Sequence, residues 1–139
     1  ITHPMMGKFL PDTPLILDGY NSLNWNGISF IYPQYLELGR LDWLNQFGLH
    51  YQKMEEQGVM LPVYNLQISY LASAKFGDTL KVETLLKEKP NVRIIFTYKI
   101  YNLETKQLLV EATTTLVFVD SKTRRPMRCP SFLLSKFGY

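Results

Sequence analysis

A chain of 139 residues, 46% hydrophobic and 19% charged, suits one domain with a real core and excludes a disordered segment. Its net charge is only +3, and its densest basic stretch, Lys122 to Arg128, is interrupted by Pro126, too sparse a footprint for nucleic acid. Cys129 is the only cysteine, which excludes a disulfide or thiolate cluster within these residues, and no apolar run approaches the roughly 20 residues that cross a bilayer.

Residues 1–13 read as an irregular lead-in carrying Pro4 and Pro11, without the basic-then-apolar order of a signal peptide. With a lone cysteine, this points to a cytoplasmic protein. Leu15 to Tyr20 is short and apolar, a first strand. Asn21 to Gly27 is rich in Asn, Ser and Gly, which favour turns. Pro33 then suits a first helical turn, where its missing N–H costs nothing. Tyr35, Leu36, Gly39, Trp43, Leu44 and Phe47 recur at three- and four-residue spacing, one apolar face of a helix over Tyr32 to Phe47. Gly48 is a natural C-cap. Gly39 sits inside the stripe, where glycine costs up to about 1 kcal/mol against alanine, so a close approach to a sheet is expected there.

Tyr51 to Gln57 predicts a short second helix closed by Gly58. Four strand signals follow. Val59 to Tyr70 carries Val63, Leu66, Ile68 and Tyr70. Asp78 to Lys87 alternates Leu80, Val82, Thr84 and Leu86. Asn91 to Tyr101 alternates Ile94, Phe96, Tyr98 and Ile100. The last, Gln107 to Val119, is apolar on both faces in its second half, the mark of a strand covered on both sides. Lys89-Pro90-Asn91 and Glu104-Thr105-Lys106 suit hairpin links. The whole reads as one α+β domain, 1–139, with a five- to six-stranded antiparallel sheet around a central helix. One helix covers one face only, so the outer face and open edge call for a second copy of the chain, as a homodimer or homotetramer.

Four strings resemble the hotdog-fold acyl-CoA thioesterases, in the branch related to 4-hydroxybenzoyl-CoA thioesterase. They are G-V-M-L-P-V at Gly58 to Val63, Y-L-A-S-A-K-F-G-D-T-L-K-V at Tyr70 to Val82, V-F-V-D-S-K-T-R-R-P at Val117 to Pro126, and Y-L-E-L-G-R-L-D-W at Tyr35 to Trp43. The third is similar to a family string V-x-V-D-x-x-T-G-R-P. The resemblance implies hydrolysis of an acyl-CoA, or of an acyl group on a carrier protein, with no cofactor beyond the coenzyme A of the substrate and no metal.

It also implies where the chemistry sits. The family loop carries two Asp, the second a nucleophile or base, before a helix whose first N–H groups polarise the thioester carbonyl. Aligning Gly27 with the family glycine puts Ser22 and Asn24 on those Asp positions, and an amide can neither take a proton at pH 7 nor act as a carboxylate nucleophile. Two readings follow. In one, Asn24 orients a water or the carbonyl, or Glu37 on the helix serves as base, as in a second branch of the family. In the other, the chain binds acyl thioesters without hydrolysing them. Gly27, Ile28, Ser29, Phe30 and Tyr32 are the expected substrate contacts, with the Ser29–Ile31 backbone as donors. Arg124, Arg125 and Arg128 are candidates for the CoA phosphates.

The plainer readings stand beside these. Glu37 is a solvated helix carboxylate, or pairs with Arg40 at i+3. Asp18, Asp78 and Asp120 are turn residues. His50 follows the helix C-terminus without a second histidine nearby. Cys129 is a half-buried residue. No G-x-S-x-G elbow suggests a serine hydrolase.

Overall fold

The computed structural model describes residues 15–16, 25–73 and 78–139, with side chains from residue 33 onward within them. In chain order the elements are β1 (Leu15–Ile16), α1 (Trp25–Asn45), α2 (Tyr51–Glu56), β2 (Val59–Met60), β3 (Val63–Tyr70), β4 (Thr79–Leu86), β5 (Arg93–Asn102), β6 (Leu108–Val117), β7 (Val119–Asp120) and α3 (Ser131–Lys136). A five-stranded sheet runs β1-β4-β5-β6-β3, and β2 pairs with β7 in a small second sheet. Every pairing is antiparallel.

The alternation seen in the sequence is what builds the core. Leu80, Val82, Thr84 and Leu86 of β4 and Ile94, Phe96, Tyr98 and Ile100 of β5 are all buried on the helix side, where α1 packs. Each such apolar side chain contributes roughly 1.5–3 kcal/mol. Tyr35, Leu36, Trp43 and Leu44 meet them from α1. Gly39 is the point of closest approach: a Cβ there would lie 2.7 Å from Thr84 Oγ1 and 2.8 Å from Val82 Cγ1.

Four features differ from expectation. The helix begins at Trp25, not at Tyr32, so Pro33 lies inside it and not in its first turn. Ile28 and Ile31 continue the three- and four-residue spacing upstream of Tyr35, and that periodicity outweighs the breakers Gly27 and Pro33. The strand predicted over Val59 to Tyr70 is split into β2 and β3 around Leu61 and Pro62, and Pro62 has no N–H to give a ladder. The strand predicted over Gln107 to Val119 ends at Val117, with Val119 in the separate β7, and Glu83, Lys99 and Glu111 lie opposite one another across β4, β5 and β6. A C-terminal helix, α3, supplies buried Leu133, and Phe137 follows it to pack at a tilt against Trp43 with ring centroids 5.3 Å apart.

Turn residues behave as their chemistry requires. Asp120 Oδ1 accepts from the Lys122 and Thr123 amides at 2.8 and 3.0 Å, and those amides, Thr123 first, hold its carboxyl below the usual range. Gly48 and Gly58 have positive φ after their helices. Arg124, where the family string has glycine, also has φ 62°, a conformation costing a side chain roughly 1–2 kcal/mol. Arg124→Gly is therefore expected to stabilise the fold by about 0.5–1 kcal/mol after the entropy of glycine is charged, read from a urea midpoint that rises at constant slope.

Candidate functional site

Two depressions stand out. The larger, about 420 Å³, lies on the outer sheet face among Gln67, Ser69, Glu83, Thr97, Lys99, Glu111 and Thr113. Glu83 and Glu111 flank Lys99 in cross-strand register, so the lysine is matched and a net negative charge remains on this face.

The smaller, about 300 Å³, is built where three segments converge. Glu37 and Arg40, three residues apart, share a face of α1. Tyr51 and Glu55, four apart, share a face of α2. Val59 to Val63 forms the third wall, held by β2–β7 pairing, by the Val117 amide donating to Pro62 O at 3.1 Å, and by the Ser121 amide donating to Gly58 O at 3.0 Å. Apolar walls with a few polar groups are what a small-molecule groove needs.

Arg40 is the residue that sequence reasoning missed. It was read only as a partner for Glu37, yet it is 6% exposed. The signal was present: Arg40 is four residues after Leu36 and four before Leu44, squarely on the buried stripe. Its Nε donates to Tyr51 Oη at 2.8 Å and its Nη1 to Tyr98 Oη at 3.3 Å, and Tyr98 Oη lies 2.6 Å from Thr114 Oγ1. Among the described residues no carboxylate pairs with this guanidinium. Burial works against its charge, but the Tyr98 and Tyr51 oxygens more than offset that, so the cation is held firmly. Burial raises the pKa of Tyr51, against the pull of Arg40 and with the help of the Glu37 charge, so its phenol keeps its proton.

Glu37 is exposed on the groove, and no described side chain pairs with it. Of the other candidates, Ser22 and Asn24 lie outside the described residues. Gly27 falls in the first turn of α1, where the leading N–H groups have no helical partner. Ile28, Ser29, Phe30 and Tyr32 lie further along, and the Ser29–Ile31 amides point back to carbonyls four residues earlier. Ten residues separate Gly27 from Glu37, about 15 Å of helix, so these are two places and not one. Arg124 reaches the groove rim, its Nη1 lying 3.6 Å from Sδ of Met60, while Arg125 and Arg128 are exposed on the same turn and the segment after it. Cys129 is buried, its thiol pushed up to about 12 by burial and donating to Pro130 O at 3.7 Å.

Known proteins resemble this chain over most of its length. The family profile described as thioesterase-like superfamily matches residues 30–137. A Bacillus subtilis protein provisionally named acyl-CoA thioesterase YneP is 30% identical over 97 residues, 70% of either chain. The Arabidopsis thaliana chloroplastic acyl-acyl carrier protein thioesterase ATL2 is 31% identical over 109 residues, 78% of this chain but only 57% of that protein. Among solved structures, a DHNA-CoA thioesterase from Staphylococcus aureus superposes with TM-score 0.71 at 25% identity, covering 87% of this chain and 80% of that one.

Proposed function

The chain belongs to the thioesterase-like superfamily, and from that membership we propose that it hydrolyses an acyl thioester, on CoA or on a carrier protein, to free acid and thiol. The observation that carries this is the Glu37 carboxylate, with which no described side chain pairs, on a groove floored by a buried cation. The loop carries Ser22 and Asn24 in place of both carboxylates of the family pattern. Glu37 supplies a base from the helix.

In the proposed reaction a water oxygen attacks the thioester carbon while Glu37 takes one of its protons. The carbonyl π pair moves onto oxygen. Collapse of that tetrahedral species reforms the carbonyl, expels the thiolate and returns the Glu37 proton to sulfur. The balance is one thioester and one water to one acid and one thiol. The start of α1, with Asn24, Gly27, Ile28, Ser29, Phe30 and Tyr32, is assigned to holding the substrate away from the reacting carbon. Arg125 and Arg128, beside the rim residue Arg124, are assigned to the phosphates of CoA or of the carrier arm. The test is hydrolysis of a panel from hexanoyl- to dodecanoyl- and benzoyl-CoA, with acyl-carrier protein alongside. Turnover at background throughout would overturn the reading.

We also propose that two chains pair through β3. Among the described strands it bonds only to β6, and none of them covers its other edge. It exposes Val63, Tyr64, Leu66 and Tyr70, large apolar groups that a solitary edge would not keep. Val63 also lines the groove, so a partner on this edge would wall the site. Wild-type protein is expected to scatter light as twice the 16.2 kDa chain, and Leu66→Lys to shift it towards the single mass. A monomeric wild type would contradict the pairing. Among the described residues no helix is long and apolar enough to cross a membrane. A lone buried thiol suits a reducing compartment, which supports a cytoplasmic location.

A further inference from the structure

The proposed base leaves a second requirement unmet. A thioester carbonyl must be polarised as water attacks, and donors placed for the developing oxyanion usually supply a large share of the rate. The Ser29–Ile31 amides expected to do this lie inside α1, and the free amides of its first turn are about 15 Å from Glu37. A donor for a reaction at Glu37 must come from the groove itself.

Tyr51 meets the geometric conditions. Its ring is half-buried at the start of α2 and lines the same groove as Glu37. Arg40 Nε donates into its oxygen at 2.8 Å, so that oxygen is already an acceptor and its own O–H must look elsewhere. No described group accepts that proton. The guanidinium is in turn fixed by Tyr98, which is anchored through Thr114 in the sheet core. A chain of hydrogen bonds ending on a cation strengthens the terminal donor.

We propose that Tyr51 is a catalytic residue whose phenolic O–H donates to the substrate carbonyl oxygen opposite Glu37, and that Arg40 is the positioning residue that turns this O–H into the groove. The proposal rests on the reading of Glu37 as base. The phenol keeps its proton throughout: the oxygen of the tetrahedral species is stabilised by a hydrogen bond, and proton traffic runs between water, Glu37 and the leaving sulfur. A carboxylate without a described partner and a phenol whose O–H has no described acceptor, both on one groove, are thus the two halves of a single acyl-transfer device.

The test uses the full chain and the best substrate of the panel. Tyr51→Phe is expected to lower kcat by about 10- to 100-fold with KM within about threefold, since it deletes one hydrogen bond to a charged centre. Arg40→Met is expected to lower kcat too, but to cost less than about threefold more once Tyr51 is Phe, because it acts through that phenol. A merely structural arginine would cost the same in both backgrounds. Binding of two inert CoA analogues separates failures. A trifluoromethyl ketone, which presents an oxyanion, should lose about 10-fold or more in affinity for Tyr51→Phe, and a thioether without a carbonyl should lose nothing. If Tyr51→Phe keeps kcat within threefold while Glu37→Gln is inactive, the donor assignment alone is overturned. If both variants turn over like wild type, the whole groove is overturned with it. Equal affinity of Tyr51→Phe and wild type for the ketone overturns the donor even where turnover is too slow to resolve.

Discussion

Replacing Glu37 by Gln is expected to lower kcat for thioester hydrolysis by about 10²- to 10⁴-fold, with the fold intact. The amide keeps the shape and hydrogen-bonding reach of the side chain but cannot take the water proton. Glu37 is exposed and pairs with no described side chain, so the substitution breaks no contact that holds the fold. Its effect should therefore appear in kcat, with thermal unfolding moved by less than a degree or two. Asn24→Ala should cost far less. If Asn24→Ala abolishes turnover and Glu37→Gln does not, the reaction belongs at the helix start.

Gly39→Val is expected to destabilise the fold by about 3 kcal/mol, near the upper end of what overpacking costs. A Cβ at this position already meets Thr84 Oγ1 and Val82 Cγ1 below 3 Å. Both neighbours are β-branched, fully buried on β4 and stiff at χ1, so neither swings aside. The helix would have to lift from the sheet, opening gaps around Leu36 and Trp43. Gly39→Ala shows the same effect in smaller measure, because its better helix propensity returns about 1 kcal/mol. The check is a melting midpoint roughly 10 °C lower for the valine variant. Thr84→Ala in the Gly39→Ala background should recover part of the loss, since it removes the nearest clash. Unchanged melting would mean the helix and sheet are not in the contact described.

Much of this architecture was legible in the residues because its determinants are periodic and local. Leu80, Val82, Thr84 and Leu86 of β4 and Ile94, Phe96, Tyr98 and Ile100 of β5 turned inward as their alternation required, and Gly39 marked the helix–sheet contact by being small where the stripe should be large. What escaped was non-local. Arg40 occupies a core position by stripe geometry, yet its charge suggested the surface; only the phenols of Tyr51 and Tyr98, 11 and 58 residues away, make that burial tolerable. The α3 segment was invisible because six residues have no room to display a period, and its worth lies in Phe137 reaching Trp43. The α1 start was placed too late because Pro33 is the stronger local signal than Ile28 and Ile31.

The site was legible in pieces rather than as a constellation. Glu37 was a candidate from the resemblance, but its companions were not. Tyr51 and Glu55 come from another helix, and the Val59 to Val63 wall is shaped by pairing with residues some 60 positions later, a relation no local pattern encodes.

The most direct measurement is a crystal structure with a ketone analogue of the best acyl-CoA substrate. The carbonyl position should lie within about 4 Å of the Glu37 carboxylate, or one water away from it, with Tyr51 Oη in hydrogen-bond reach. An analogue whose carbonyl instead sits at the Gly27 end of α1, more than about 10 Å from Glu37, would contradict the placement of the reaction in this groove.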